Sequence, residues 1–251
     1  MTKEEISLKH GVALDLVCDF LNLLNSTLNE LEGDSENGQH VMVAGLSERM
    51  QTNAQGCVEL ARAGLSAEVK ILARACIEAT FKLQAICMNP NLMQVYAQEH
   101  LFFQRRALRA VTTDLKSSFS PEELVDAAAQ LDVVNAEVAS LGAREMQIWE
   151  WSREASLAEM YRSLYALYSG FVHASSSSLT DWLPMDAEGN LVEIVSGPTD
   201  FDLSGTLLSV ATCLHYCLHD INILMGLDIG DALNELRARR DDAYGFAKVG
   251  A

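Results

Sequence analysis

The sequence predicts an all-α protein, built as a single bundle of six to eight helices with a short turn-rich insertion, and three observations support this. Apolar residues make up 49% of the 251 residues, and Ala and Leu, which favour helices, dominate them. The alternation of β-branched or aromatic residues with polar ones that is typical of strands is rare. Only 4 Pro and 15 Gly interrupt the chain, so long helices can form.

The first half of the chain divides into helices at clear turn signals. Apolar residues recur at three- and four-residue steps over about 3–31, and the polar segment EGDSENGQH ends this helix. A second helical region covers about 41–64. Ser66 is a favourable N-cap for the third helix, which is apolar around most of its circumference and is therefore expected at the centre of the bundle. Pro90 ends the third helix, and a fourth helix is expected to run to about Lys116.

The second half begins with the strongest helix-start signal in the sequence. In the segment SPEE, Ser120 is the N-cap, Pro follows at the first helical position, and Glu123 completes a capping box. We therefore expect a helix over about 120–146. The apolar pattern predicts a further helix over about 154–173.

The least helical segment is 175–204, where MDAEGNLVEIV predicts a short β-hairpin around Gly189 and Asn190. A last long helix is expected over about 203–227, followed by a short polar helix that begins near Asp231. The chain contains no internal repeat or low-complexity linker, so we expect one domain. Its parts are the N-terminal helices (1–64), the central helices (66–174), the insertion (175–204) and the C-terminal helices (205–240), all within a domain over 1–251.

Charge and cysteine content favour a soluble, cytoplasmic protein that does not bind nucleic acid or a membrane. The formal net charge is −17, which repels phosphate backbones and anionic lipids. The basic cluster of Arg105, Arg106 and Arg109 is expected to be a solvated helix face. Six cysteines are scattered without a Cys-x-x-Cys pair, as in a reducing compartment. The N-terminal segment lacks the apolar core of a signal peptide, and no charge-free stretch approaches the length of a membrane span.

A row of charged residues crosses the otherwise apolar third helix. Arg74 and Glu78 lie one turn apart on one face, and Lys70 and Lys82 extend the row in both directions. In one interpretation the row is a solvated or purely structural stripe. In the other it lines a cleft in which Arg74 and Glu78 form an ion pair, and there they need partners, because an unpaired buried charge is very costly. Arg74 and Glu78 are therefore candidate catalytic residues.

The segment MYRSLYALYSGFVHASSSSL carries the second candidate site. On a helical wheel Tyr161, Tyr165 and Tyr168 form a ridge, which we expect to pack on the Arg74 helix. The neighbouring row holds small residues between Arg162 and His173, which leaves room for another helix or for a small pocket. His173 either caps the carbonyl groups at its helix end or acts as a catalytic acid or base. The candidate ligand-binding residues are Arg162, Tyr165, Ser169 and Ser175.

The segment CLHYCLHD is a possible metal site that we do not favour. His215 and His219 lie one turn apart, a spacing that can hold one metal ion. Cys213 and Cys217 point to nearly the opposite side of the helix, so the four side chains cannot serve the same ion. A half-buried amphipathic helix explains the pattern, and we predict no metal and no cofactor. Motifs for phosphate-binding loops, dinucleotide-binding folds, zinc proteases and serine esterases are all missing.

Two of these segments together resemble a known family. ILARACIEATFKL resembles the R-x-x-x-E helix of the bacterial domain-of-unknown-function family 5677, and YRSLYALYSGFVHASSSSL resembles its Tyr…Ser-x-x-x-His-x-Ser segment. The order of the segments also matches, and the resemblance covers about 66–227. It implies an all-helical, cytoplasmic bacterial protein whose biochemical role is not settled. The signature positions carried over to this chain are Arg74, Glu78, Ser169, His173 and Ser175.

Two classes of function stay open at this point. The first, which we favour, is a non-enzymatic module with a buried Arg/Glu/His network that binds a small ligand, a partner protein or another copy of itself. The second is a ribonuclease or nucleotide hydrolase of a toxin or phage-defence system, since the arrangement of Arg162 and His173 resembles that of the helical HEPN domains in part. The HEPN signature places Arg and His close together on one helix, whereas ten residues separate Arg162 from His173.

Overall fold

A computed structural model describes residues 2–31, 36–173 and 175–245, and helices form nearly all of its regular structure. The described residues contain no strand, which confirms the predicted all-α class. There are more helices than the six to eight expected, because short helices interrupt the long ones. The α-helices are α1 Lys3–Glu30, α2 Gly38–Arg62, α3 Ser66–Met88, α4 Leu92–Ala97, α5 Glu99–Thr113, α6 Pro121–Leu141, α7 Ile148–Glu154, α8 Ala158–Met160, α9 Ala166–Val172, α10 Leu203–Met225 and α11 Gly230–Tyr244.

Three short helical segments of other types complete the fold. A π-helical turn, Tyr161–Tyr165, joins α8 to α9 without a break. The 3-10 helices Lys116–Ser118 and Ser176–Asp181 precede α6 and follow α9. The chain from Ala158 to Val172 is therefore one continuous helical segment with a widened turn inside it.

The third and tenth helices form the centre of the bundle. α3 packs against α2, α7, α9 and α10, as its apolar circumference predicts, and α10 packs against α1, α2, α3 and α11. A continuous cluster of buried side chains extends from Ile6 in α1 to Leu236 in α11. Burial of these apolar surfaces is the main stabilising contribution to such a bundle.

Several helix boundaries differ from the predicted ones for local reasons. The helix expected over 120–146 ends at Leu141, because Gly142 adopts the left-handed conformation with φ of 58°. The helix expected over 154–173 begins only at Ala158, since Ser156 has φ of 58° and ends the preceding helix. The helix expected after α3 is divided into α4 and α5. The capping box at the start of α6 is present as predicted.

The start of α3 differs from prediction because of a distant contact. Leu65 is the N-cap and makes no side-chain capping bond, while the hydroxyl of the predicted cap, Ser66, lies 2.5 Å from the Thr199 hydroxyl. The Thr199 N–H donates to the Gly64 carbonyl oxygen at 2.7 Å. Gly64 has φ of 71°, and a Cβ there would lie 2.6 Å from the Cβ of Pro198. The segment before α10 thus docks on the turn between α2 and α3.

The hairpin expected around Gly189 and Asn190 is not confirmed. Met185 and Leu191 form one isolated antiparallel bridge, and the part of the insertion that the structure describes contains no strand pair. The turn itself is held by Asp186, whose carboxylate accepts the backbone N–H of Asn190 at 2.8 Å. This hydrogen bond lowers the pKa of Asp186.

Two helices, α1 and α10, are long and apolar enough to cross a membrane when judged by length and composition alone. Asp220 is the only charged residue of α10, which corrects the expectation that no charge-free stretch approaches a spanning length. Of the most apolar window, 44% in α1 and 61% in α10 is buried inside the protein. Core helices of water-soluble bundles have the same length and composition, so these two properties are weak evidence for a membrane span.

Candidate functional site

The charged row of α3 faces neighbouring helices and not bulk solvent. Lys70 is 2% exposed, and its ammonium group lies 4.5 Å from the centre of the Phe171 ring and 4.9 Å from that of Phe201. At the other end of the row, Lys82 binds the Glu99 carboxylate at 2.7 Å. The interpretation of the row as a solvated stripe is therefore wrong, because its cations are buried or half-buried against partners.

Arg74 connects α3 to the helical segment that carries Tyr165 and Ser169. Its Nη1 donates to Glu78 Oε2 at 3.0 Å, its Nε donates to Ser169 Oγ at 3.1 Å, and its Nη2 donates to the Tyr165 hydroxyl. The guanidinium carbon also lies 4.6 Å from the centre of the Tyr165 ring. The side chains of Arg74 and Glu78 are 20% and 33% exposed. We call Arg74, Glu78, Tyr165 and Ser169 the Arg74 cluster.

The widened turn before α9 brings Tyr165 and Ser169 to Arg74. The π-helical turn ends at Tyr165, and such turns occur preferentially at functional sites. Ser169 Oγ donates to the Tyr165 carbonyl oxygen at 2.7 Å, and the Tyr161 ring stacks on the Tyr165 ring with centroids 5.2 Å apart. Burial raises the pKa of Tyr165, the Glu78 charge raises it further, and Arg74 opposes both. Tyr165 is therefore a neutral phenol at physiological pH.

The tyrosine ridge predicted to pack on α3 is divided between two helices. Tyr165 faces α3, whereas the Tyr168 hydroxyl lies 3.1 Å from Ser209 Oγ on α10. Residues three apart on a helix differ in direction by about 60°, so the two rings reach different neighbours. Burial raises the pKa of Tyr168 to about 12.

The other predicted site residues lie outside the Arg74 cluster. Arg162 and His173 are exposed, and the side chain of neither forms a hydrogen bond or ion pair with another residue that the structure describes. The His173 N–H donates to the Ser169 carbonyl oxygen at 3.3 Å at the end of α9. The Ser175 hydroxyl donates to the Gly170 carbonyl oxygen at 3.0 Å. Ser175 thus closes the turn after α9, and the predicted Arg/Glu/His network contains Tyr165 and Ser169 in place of His173.

A cavity of 580 Å³, which the sequence analysis did not predict, lies on the side of α9 that faces away from the Arg74 cluster. We call it the α10–α11 cavity. α9 and the π-helical turn supply its apolar wall, and α10 and α11 supply most of its polar groups. The residues that carry the argument are Leu164, Leu167 and Tyr168 on the first wall, Ser209, Thr212 and His215 on α10, and Arg237, Arg240 and Tyr244 on α11.

The polar groups of the α10–α11 cavity are incompletely paired. Burial, followed by the Arg240 charge, lowers the pKa of His215 to about 4, so the imidazole is neutral. Its Nδ1 is buried and has no hydrogen-bond partner among the described residues. Arg240 binds Asp241 at 2.7 Å, while the exposed Arg237 lies 3.7 Å from the same carboxylate. The cavity therefore offers a neutral imidazole and a loosely held guanidinium to a ligand.

The two histidines of the possible metal site on α10 lie one turn apart with their rings stacked. The His215 and His219 rings are stacked with centroids 6.2 Å apart, and His219 Nδ1 lies 3.2 Å from Asp220 Oδ1. Within 2–31, 36–173 and 175–245, no group of three or more His, Cys, Asp or Glu side chains could hold a metal ion. Burial raises the pKa of Asp220 to about 6.

Comparison with known proteins supports the resemblance drawn from the two motifs. The sequence model of a family of unknown function, DUF5677, matches residues 40–190. The match contains the whole of α3 and α9, and with them all five signature positions, whereas α10 and α11 lie beyond it. No curated protein and no solved structure matches the chain. Because the matched segment covers more than half of the sequence, the chain belongs to the family of unknown function DUF5677.

Proposed function

We propose that the protein is a small-ligand-binding module whose ligand occupies the α10–α11 cavity. The observation that carries the proposal is the cavity itself, with a volume of 580 Å³ and a lining of apolar walls with a few convergent polar groups. Sites for small organic ligands have this size and this composition. Two small clefts of 220 and 480 Å³, which share Glu78, Lys82 and Glu99, offer less, because those charged groups already bind each other or neighbours.

The lining fits a small organic anion with an apolar body. The Leu164, Leu167 and Tyr168 side chains provide apolar surface for the body of such a ligand. The exposed Arg237 guanidinium provides charge for a carboxylate, sulfonate or phosphate at the mouth, and guanidinium groups bind these anions in a bidentate manner. The neutral His215 imidazole, with its buried unpaired Nδ1, provides a directional polar contact for the ligand.

The Arg74 cluster has a positioning role in this proposal. We call the continuous helical segment Ala158–Val172 the α9 segment. Tyr165 and Ser169 bind Arg74 on one face of this segment, and Leu167 and Tyr168 line the cavity on another. Bonds to Arg74 therefore fix the helix that forms the cavity wall. The family signature acts through α9 and does not contact the ligand.

The alternative function, a ribonuclease or nucleotide hydrolase, has less support. Hydrolysis needs an acid or base beside a cation that binds phosphate. Arg74 already donates to three side chains, and the exposed His173 has no bond to any of them. The net charge of −17 also opposes binding of a polyanion.

The test is a fluorescence titration of the full chain with anilinonaphthalene sulfonate, an aromatic anion that fluoresces when it leaves water. We expect Arg237→Gln to weaken binding roughly tenfold, since a hydrogen bond to a charged group contributes about 1.5 kcal/mol or more. The matched control is Arg239→Gln, because Arg239 lies on the same helix and binds Asp19 at 2.7 Å outside the cavity. No saturable signal, or equal affinities for the two variants, would contradict the proposal.

We also propose that residues 1–251 form one domain that works in the cytoplasm without nucleic acid. Support for one domain comes from the buried cluster that joins α1 to α11. Support for a reducing compartment comes from the cysteines, all six of which are free thiols. Burial raises the pKa of Cys87, Cys213 and Cys217, so these thiols are unreactive.

A further inference from the structure

The hairpin formed by α5 and α6 lies outside the main core of the protein. Among the described elements, α5 is the only one against which α6 packs extensively. The hairpin has a small interior of its own, and none of its members belongs to the main buried cluster. These members are Leu101, Phe102, Ala127 and Val134.

A second apolar strip on α6 faces outward. Val125 and Val133 are 69% and 66% exposed, and Ala129 lies between them at four-residue spacing. Together with Ala107 and Leu108 of α5, Ala129 and Val133 border a groove of 540 Å³, which we call the hairpin groove. A helix that buries one apolar strip against α5 and exposes another has the pattern of a helix in a larger bundle.

The charges on the hairpin are separated between its two helices. α5 carries Arg105, Arg106 and Arg109, whereas α6 has five acidic residues and no Lys or Arg. Arg109 on α5 and Asp132 and Glu137 on α6 are exposed, and none of the three forms an ion pair with another described residue. The acidic residues of α6 are Glu122, Glu123, Asp126, Asp132 and Glu137.

This arrangement is self-complementary. A two-fold axis parallel to the helices places α5 of each copy on α6 of the other, in antiparallel orientation. Isologous contacts of this kind bring the same patch of both copies together. They set the basic helix of one copy against the acidic helix of the other, and such charge pairing selects the partner and the register.

We propose that two copies of the chain associate through the hairpin groove to form a four-helix bundle. Helix rise and spacing give the hairpin face dimensions of about 25 Å by about 20 Å. A contact of this size is at the lower end of specific interfaces, so the dimer is reversible and its population depends on protein concentration. Val133, near the middle of α6, lies close to the two-fold axis.

Sedimentation velocity of the full chain, over a hundredfold range that reaches about 100 µM, tests this proposal. We expect the wild-type chain to shift from monomer to dimer and Val133→Asp to stay monomeric, because it places two carboxylates near the axis. The matched control is Ile223→Asp, which adds the same charge at a residue of α10 that is 67% exposed, and which is expected to dimerise like the wild type. Circular dichroism melts establish that both variants fold.

Three results would overturn the proposal. A wild-type chain that stays monomeric at the highest concentration leaves the groove to a different protein. A Val133→Asp variant that dimerises like the wild type places the interface elsewhere. Loss of the dimer in both variants shows a general effect of added negative charge and not a contact at the groove.

Discussion

The polar side chains of the two central helices, α3 and α10, differ in how completely they are paired. On α3, Arg74 and Lys82 are bound by partners from other helices. On α10, His215 Nδ1 and Asp220 Oδ2 are buried without a hydrogen-bond partner in the part of the chain that the structure describes. A fully paired group has little to gain from a ligand, whereas an unpaired buried group gains a full hydrogen bond. The difference supports a structural role for the charged row of α3 and a binding role for His215 of α10, which lines the α10–α11 cavity.

The largest expected effect is the loss of stability on removing Arg74. Arg74→Ala leaves Glu78, Tyr165 and Ser169 without their common donor, so we expect the free energy of unfolding to fall by about 2–3 kcal/mol. This lies below the full cost of breaking a buried ion pair because both charged side chains are partly exposed. Urea denaturation measures the change.

Arg62→Ala is the matched control for Arg74→Ala. Arg62 forms an intrahelical pair with Glu59 at 2.8 Å on the exposed surface of α2, and surface pairs contribute less than about 1 kcal/mol. Equal, small losses in the two variants would show that the α3 row is no more structural than a surface pair, and the contrast with α10 would disappear.

The second prediction concerns the pH dependence of stability that Asp220 introduces. Burial raises its pKa from 3.8 to about 6, so the folded protein holds this proton more tightly than the unfolded chain. The resulting stabilisation is complete below pH 3.8 and is lost as the pH rises through 6. At pH 7 the ionised carboxylate is a cost, and we expect Asp220→Asn to raise the free energy of unfolding by about 2 kcal/mol.

Urea denaturation at pH 7 and at pH 4 checks this prediction. The gain from Asp220→Asn is expected at pH 7 and is expected to shrink toward zero at pH 4, where the native carboxyl is protonated. A variant that loses the same stability at both values would mean that the bond from His219 outweighs the burial cost. In that case Asp220 would be satisfied by its partner, as the charged row of α3 is.

Local sequence signals predicted most of the fold. The Ser120 capping box and Pro90 affect only the backbone within a few residues, so their effects were predictable from the local sequence. The apolar circumference of α3 indicated a central helix. The wrongly predicted helix boundaries depend on backbone conformation or on a partner far away in the sequence. Ser156 has a left-handed conformation that its residue type does not predict. Ser66 contacts Thr199, which is distant in the sequence.

The candidate site was predictable only where its residues share one helix. Spacing on α3 brought Arg74 and Glu78 together, and the structure does so as well. The division of the tyrosines between α3 and α10 depends on where those two helices lie, and a helical wheel of one helix does not show the positions of its neighbours. α11 is polar around most of its surface, so the sequence predicted only a short polar helix, with no sign that Arg237 and Tyr244 border a cavity.

The smallest expected effects separate the two faces of the α9 segment. Tyr165→Phe removes an acceptor from Arg74 and is expected to cost about 1.5 kcal/mol, because the lost bond involves a charged group. Tyr168→Phe removes a bond between neutral hydroxyls, 3.1 Å long, and is expected to cost about 1 kcal/mol or less. Urea denaturation measures both changes.

Ligand binding distinguishes these two tyrosines more sharply than stability does. The Tyr168 hydroxyl and its partner Ser209 both belong to residues that border the α10–α11 cavity, so loss of this hydroxyl in Tyr168→Phe is expected to weaken the affinity for anilinonaphthalene sulfonate, while Tyr165→Phe leaves it within about twofold. The opposite result, with affinity lost only in Tyr165→Phe, would place the bound anion at the Arg74 cluster. The family signature would then contact the ligand itself, and the paired row of α3 would be the binding row.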